Sequence, residues 1–115
     1  SPLEAARLME ILLTRKLFND DYQEFIKRTL TECETGKNRL ARPLQGTEAI
    51  IGHKTGTGDR NAKGQLIGTN DIGFVLLPNG NRYTIAVFVK DSEESELMSS
   101  QIIADISEVV YRQVK

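Results

Sequence analysis

Gly52-His53-Lys54-Thr55-Gly56-Thr57-Gly58-Asp59 is the stretch on which the reading of this chain turns. Ala49 to Thr57 reads as a strand, and its end carries an ammonium, two hydroxyls and small residues. Alternation along a strand places Thr55 and Thr57 on one face, where both hydroxyls can bind one carboxylate, while Gly56 and Gly58 let a ligand approach the backbone. Amides exposed at a strand edge would add donors. Two phosphate-binding patterns are excluded by spacing. The loop G-x-x-x-x-G-K-[ST] needs its lysine after the second glycine with a helix directly following, and Gly56-Thr57-Gly58-Asp59-Arg60-Asn61 lacks the third glycine of a dinucleotide fingerprint. On the residues alone, an anion-docking strand and a glycine-rich hairpin without a ligand stand as equal alternatives.

Working outward, Asp59 to Gly68 reads as a polar loop, Asn70 to Leu77 as a second strand and Tyr83 to Lys90 as a third. Pro78-Asn79-Gly80-Asn81 supplies a tight turn, because Asn and Gly tolerate positive φ. Consecutive strands joined this way are antiparallel. The third is apolar at nearly every position, the pattern of a central strand covered on both faces. Glu93, Glu94 and Glu96 then precede Leu97, Met98, Ile102, Ile103, Ile106, Val109, Val110 and Val114, with Arg112 and Lys115 at the far end, so acid leads and base closes a helix as its dipole favours.

Upstream, Ser1-Pro2-Leu3-Glu4 spells a capped helix start, with Pro at the first helical position and Glu returning a bond to the cap. The helix should run from about Pro2 to Leu17, and its apolar positions cover more than one stripe, which predicts burial on two sides. Asp20 and Gln23 repeat the cap-and-return spacing ahead of a face formed by Tyr22, Phe25, Ile26, Thr29 and Leu30, and Gly36 is expected to end that second helix. The expected fold is α+β in one unit: two N-terminal helices within residues 1–47, a three-stranded antiparallel sheet within 48–91 and a C-terminal helix within 92–115.

A chain of 115 residues and 12.9 kDa has room for one domain of ordinary size. Fifteen basic against sixteen acidic residues, with no basic block, argue against nucleic acid as a partner. One cysteine, Cys33, and one histidine, His53, exclude an intrachain disulfide and a Cys- or His-rich metal site, and no cofactor is expected. No apolar run approaches the roughly 20 residues of a membrane-crossing helix, no secretion signal is recognisable, and no membrane partner is expected. The chain opens on Ser1 rather than Met, which reads as the start of a processed or shortened product.

Lys54-Thr55-Gly56 is the K-T-G signature of class A β-lactamases and penicillin-binding proteins. The chain resembles class A beyond those three residues: in the capped start Ser1-Pro2-Leu3-Glu4-Ala5-Ala6, in Thr35-Gly36-Lys37-Asn38-Arg39, in Gly52 to Asp59, in Thr69-Asn70-Asp71-Ile72, in the turn after Leu77-Pro78 and in one closing helix. The resemblance implies a partial domain, the C-terminal portion of the β-lactamase fold, beginning after the loop that carries the deacylating glutamate. It also implies a β-lactam substrate and a periplasmic or secreted parent.

Role by role, the resemblance makes Lys54 the catalytic lysine beside the nucleophile and Thr57 the residue whose backbone N–H is one of two oxyanion donors. Thr55, Gly56 and Gly58 would line the substrate carboxylate site, with Arg39 behind it and Arg42 as the competing arginine. Asp71 would be a buried structural carboxylate. No serine here has a lysine three residues on, there is no S-D-N, and Glu34 with Asn38 matches the family's Glu–Asn spacing only by coincidence. The isolated chain is therefore expected to be inactive, to need the missing N-terminal part of the protein, and to self-associate as a homodimer or oligomer. A penicillin-binding transpeptidase or carboxypeptidase segment is the alternative within enzymes, and a non-catalytic self-associating module the alternative outside them. His53 reads as a packed or solvated imidazole, Cys33 as a small hydrophobe, and Asp91 to Glu96 as a solvated helix start.

Overall fold

The computed structural model describes all 115 residues. Helices α1 (Pro2–Thr14) and α2 (Asp20–Thr31) lead through a short 3-10 turn at Arg42–Leu44 to strands β1 (Ile50–Thr57), β2 (Leu66–Leu76) and β3 (Arg82–Ser92), and α3 (Glu96–Val114) closes the chain. The sheet is antiparallel throughout in the order β1-β2-β3. This is the expected α+β arrangement.

Its start is the capping box: Ser1 Oγ accepts from the Glu4 N–H and Glu4 reaches back to the Ser1 nitrogen. Helix α1 stops at Thr14, three residues short of the expected Leu17, because Arg15 turns extended. The last-turn carbonyls find a partner across the junction, where Gln23 Nε2 donates to Leu12 O at 2.8 Å and Arg15 O at 3.1 Å. Gln23 is thus the cap of α1 rather than the returning arm of α2, whose own cap is Asn19, accepting from the Tyr22 N–H. Helix α2 ends at Thr31, well before Gly36.

Two-sided burial of α1 does not occur. Only Met9 and Leu12 are buried, while Leu3 and Leu8 are 62% and 56% exposed, because α1 lies on the sheet with one face and nothing covers the other. Tyr22 and Phe25 of α2 are likewise exposed.

Strand β3 is not central; it pairs with β2 alone and forms an edge. Its apolar content has another cause, since α1 packs on one face of it and α3 on the other. On the α3 side Ile85 and Val87 meet Leu40 and Ile103, and beside them Val75 and Leu77 meet Leu44, which together make the core. The polar loop is also shorter than expected: Gly58 and Asp59 bond to Gly68 and Ile67, and Arg60 bridges Leu66, so the β1–β2 hairpin narrows to a tip that Asn61 Oδ1 holds through the Lys63 and Gln65 amides. The β2–β3 turn is as expected, with Gly80 at φ +89°. Ser95 caps α3, and the helix presents Ser99, Ser100, Ile103, Ala104 and Ser107 inward.

Candidate functional site

Strand β1 is the other edge of the sheet, and its end carries the K-T-G residues. Opposite Lys54, Thr55, Gly56 and Thr57 stand Ile72, Asp71, Asn70 and Thr69 of β2. Lys54 is exposed, and its Nζ donates to Thr55 O at 2.6 Å. Thr55 Oγ1 lies 2.9 Å from Thr35 Oγ1, so the turn after α2 holds that hydroxyl. Gly36 makes the contact possible: it sits at φ +67°, and a Cβ there would come within 2.2 Å of Thr55 Cγ2.

Arg39 comes off the same turn and runs beneath the strand, only 4% exposed. Its Nη1 donates to Gly56 O at 3.2 Å and Asn70 O at 3.0 Å, its Nη2 to Thr57 Oγ1 at 2.7 Å, and its Nε to Ser100 Oγ at 3.0 Å. Glu96 Oε1 stands 3.5 Å from Nη2 at the exposed rim. Arg42 takes a different direction and donates to Gln101 on α3, away from β1. The geometry therefore brings Lys54, Thr55, Gly56, Thr57 and Arg39 together, continues into Gly58, whose N–H bonds Gly68 O at 2.7 Å, and leaves Arg42 out.

A second set of buried polar groups braces the first. His53 Nδ1 lies 3.0 Å from both oxygens of Asp71, and Asp71 Oδ2 also accepts from the Leu40 N–H at 3.1 Å. His53 is 3% exposed and Asp71 is fully buried. Ser107 Oγ donates to Leu40 O at 2.7 Å. Consecutive residues Asn70-Asp71 thus grip consecutive residues Arg39-Leu40, with α3 serines closing the other side. Sequence reasoning left His53 as an unassigned imidazole. The signal that places it is the hairpin register: His53 pairs with Gly73, so Asp71 is its diagonal neighbour two residues along the same face.

Chemically, the strand end carries the Lys54 ammonium on one face and the Thr55 and Thr57 hydroxyls on the other, and on the threonine side the Arg39 guanidinium bonds Gly56 O, Asn70 O, Thr57 Oγ1 and Ser100 Oγ. These groups offer hydrogen-bond donors and positive charge of the kind an anion can use. The His53 nitrogen that faces Asp71 activates no serine or cysteine. No group of three His, Cys, Asp or Glu side chains is placed to hold a metal ion, and no helix is long and apolar enough to cross a membrane.

The family described as "Beta-lactamase enzyme family" matches residues 1–114. A beta-lactamase of Phocaeicola vulgatus is 50% identical over 96% of this chain and 35% of its own length, and one of Bacteroides uniformis is 41% identical over 96% of this chain and 38% of its own. Among solved structures, a class A beta-lactamase representative from Bacteroides cellulosilyticus superposes with a TM-score of 0.90 at 44% identity, over 97% of this chain and 40% of the other. The chain spans well under half the length of these relatives, and its helices and sheet match the C-terminal portion of the class A fold.

Proposed function

Because the chain belongs to the beta-lactamase enzyme family, we propose that it supplies the substrate-carboxylate side of a serine β-lactamase site. In this reading the Thr55 hydroxyl, with Gly56 and Gly58 allowing close approach, binds the carboxylate of a β-lactam. The Lys54 ammonium stands beside the nucleophile's hydroxyl and adds positive potential, and the Thr57 N–H is one of two donors to the oxyanion. Arg39 acts from behind: buried and bonded to Gly56 O and Thr57 Oγ1, it holds the strand end and contributes its charge without touching the ligand. The serine oxygen attacks the lactam carbonyl, the C–N bond breaks as the nitrogen takes a proton, and water then releases the acyl group.

The observation that carries this reading is the convergence of Thr35 and Arg39 on the Thr55 and Thr57 hydroxyls at the strand end that also carries Lys54 and Gly56. Neither S-x-x-K nor S-D-N occurs among these residues, so these 115 residues alone are proposed to turn over no β-lactam, the rest of the site coming from the N-terminal part of the protein. A bacterial β-lactamase acts where its substrate enters, which supports a periplasmic or secreted parent and a role in antibiotic resistance. The test is a chromogenic cephalosporin assay on two proteins. The chain alone should not exceed buffer, and a chimera in which it replaces the corresponding 112 residues of the Phocaeicola vulgatus relative should hydrolyse the substrate. Sustained turnover by the chain alone, or a folded but inert chimera, contradicts the reading.

A non-catalytic, self-associating behaviour of the isolated chain is supported separately by the unpaired edge of β3 and by the exposed Leu3, Leu8, Tyr22 and Phe25.

A further inference from the structure

A buried guanidinium, Arg39, and a fully buried carboxyl group, Asp71, lie next to each other along the chain's folded path and do not pair. Arg39 Nη1 bonds the carbonyl of Asn70, and Asp71 is the next residue, yet Arg39 spends its donors on Asn70 O, Gly56 O, Thr57 Oγ1 and Ser100 Oγ, and the carboxylate it does meet is the exposed Glu96 at 3.5 Å. Asp71 spends its acceptors on His53 Nδ1 and the Leu40 N–H. A buried carboxylate takes the strongest donor it can reach. The imidazole and the Leu40 N–H are what satisfy it here.

We propose that His53 is a positioning residue for the end of strand β1: by occupying Asp71 it keeps that carboxylate from capturing the Arg39 guanidinium, which therefore stays on Gly56 and Thr57. Its relevance to catalysis rests on the carboxylate-site reading above, but its structural content does not. Without the imidazole donor, Asp71 retains a single main-chain N–H in a site closed to water, and the guanidinium one residue from that N–H becomes the nearest strong donor. Turning toward Asp71, Arg39 releases Thr57 Oγ1 and the Gly56 carbonyl, and the strand end loses the brace beneath it. The Thr35–Thr55 contact, which comes from a different turn, stays in place.

The experiment uses the whole 115-residue chain labelled with 15N, and compares His53→Asn, His53→Gln and His53→Leu. An asparagine amide can stand where Nδ1 stands, whereas a glutamine amide reaches on toward the position of Nε2. Expected is a His53→Asn spectrum in which the Arg39 Nε–H and the Thr57 amide keep their positions and Leu40 amide exchange stays near the parent's. In His53→Gln and His53→Leu the Arg39 and Thr57 signals move and Leu40 exchange accelerates about tenfold or more, while Val75 and Ile85 in the sheet keep their protection. If His53→Leu does not fold, the Asn and Gln variants decide. Unmoved Arg39 and Thr57 signals in His53→Gln, or a His53→Asn spectrum as disturbed as that of His53→Gln, overturns the proposal. An inert chimera would sink the β-lactamase reading and leave this result standing.

Discussion

Two regions of the molecule invert the usual distribution of residue types. Around Arg39 and Leu40, a guanidinium, a carboxylate, an imidazole and two serines are shut inside, each with hydrogen-bonding partners. On α1 and α2, Leu3, Leu8, Tyr22 and Phe25 face outward with about half or more of their surface exposed. Buried charge is costly and is retained only when its geometry is closed, so the polar joint is a region of one conformation. Exposed apolar surface has no such geometry and is a surface for association. Conformational definition in this chain therefore comes from the polar groups around Arg39 and Asp71, and the unfinished hydrophobic burial lies on the helical pair.

The contrast breaks most severely at Asp71. Replacing it with Leu leaves the buried His53 Nδ1 and the Leu40 N–H without their acceptor, at a cost of about 3–5 kcal/mol; urea titration should show most of the stability gone or no folded state at all. Gly36→Ala is next. The left-handed backbone costs roughly 1–2 kcal/mol, and the new methyl drives Thr55 away from Thr35, so the urea midpoint should fall and the Thr55 amide should shift.

On the helical pair the expectation is opposite. Leu8→Lys combined with Phe25→Lys should change stability by no more than about 0.5 kcal/mol per site. Light scattering at tens of micromolar should find the parent chain self-associated and the double variant shifted toward monomer. A parent chain that is already a well-folded monomer at that concentration contradicts the reading of this surface.

The smallest effect is alkaline. Burial, with a further contribution from Tyr111, pushes the Tyr83 phenol up to about 12 from an ordinary 10.0. The folded state holds a proton that the unfolded chain gives up first, so the contribution is intact below pH 10 and is lost as pH rises through about 12. Tyr83→Phe should flatten the stability profile across that window and be nearly neutral at pH 7, because the buried Tyr83 hydroxyl has no hydrogen-bond partner to lose. Thermal unfolding of both proteins across this range checks it.

Local rules made much of this legible. The Ser1 cap, the Asn-Gly turn after Pro78 and the three strands follow from short-range chemistry that the sequence states directly. What stayed illegible depends on register and on third parties. Gly36 reads as a helix stop in sequence, but its lack of a side chain serves Thr55, nineteen positions later. Gln23 matches a return arm, but the nearer demand was the open end of α1. The apolarity of β3 speaks of its faces, which helices cover, and is silent about its edges. Lys54, Thr55 and Arg39 could be named from motif and resemblance, whereas the pairing of His53 with Asp71 appears only once the hairpin is in register.

The guanidinium behind the strand belongs to Arg39, and its proposed place is the carboxylate side of a β-lactam site. That proposal is tested most directly by kcat/KM for a β-lactam in the chimera carrying Arg39→Ala or Arg42→Ala. Hydrogen bonds from a charged group such as those Arg39 makes to Gly56 O and Thr57 Oγ1 are worth roughly 1.5–3 kcal/mol, so if the strand end loses that much of its hold on the substrate, Arg39→Ala should lower kcat/KM by about 10- to 150-fold, while Arg42→Ala, whose side chain lies against Gln101 of α3, should change it little. Equal losses from the two substitutions, in variants shown to be folded, would contradict the account.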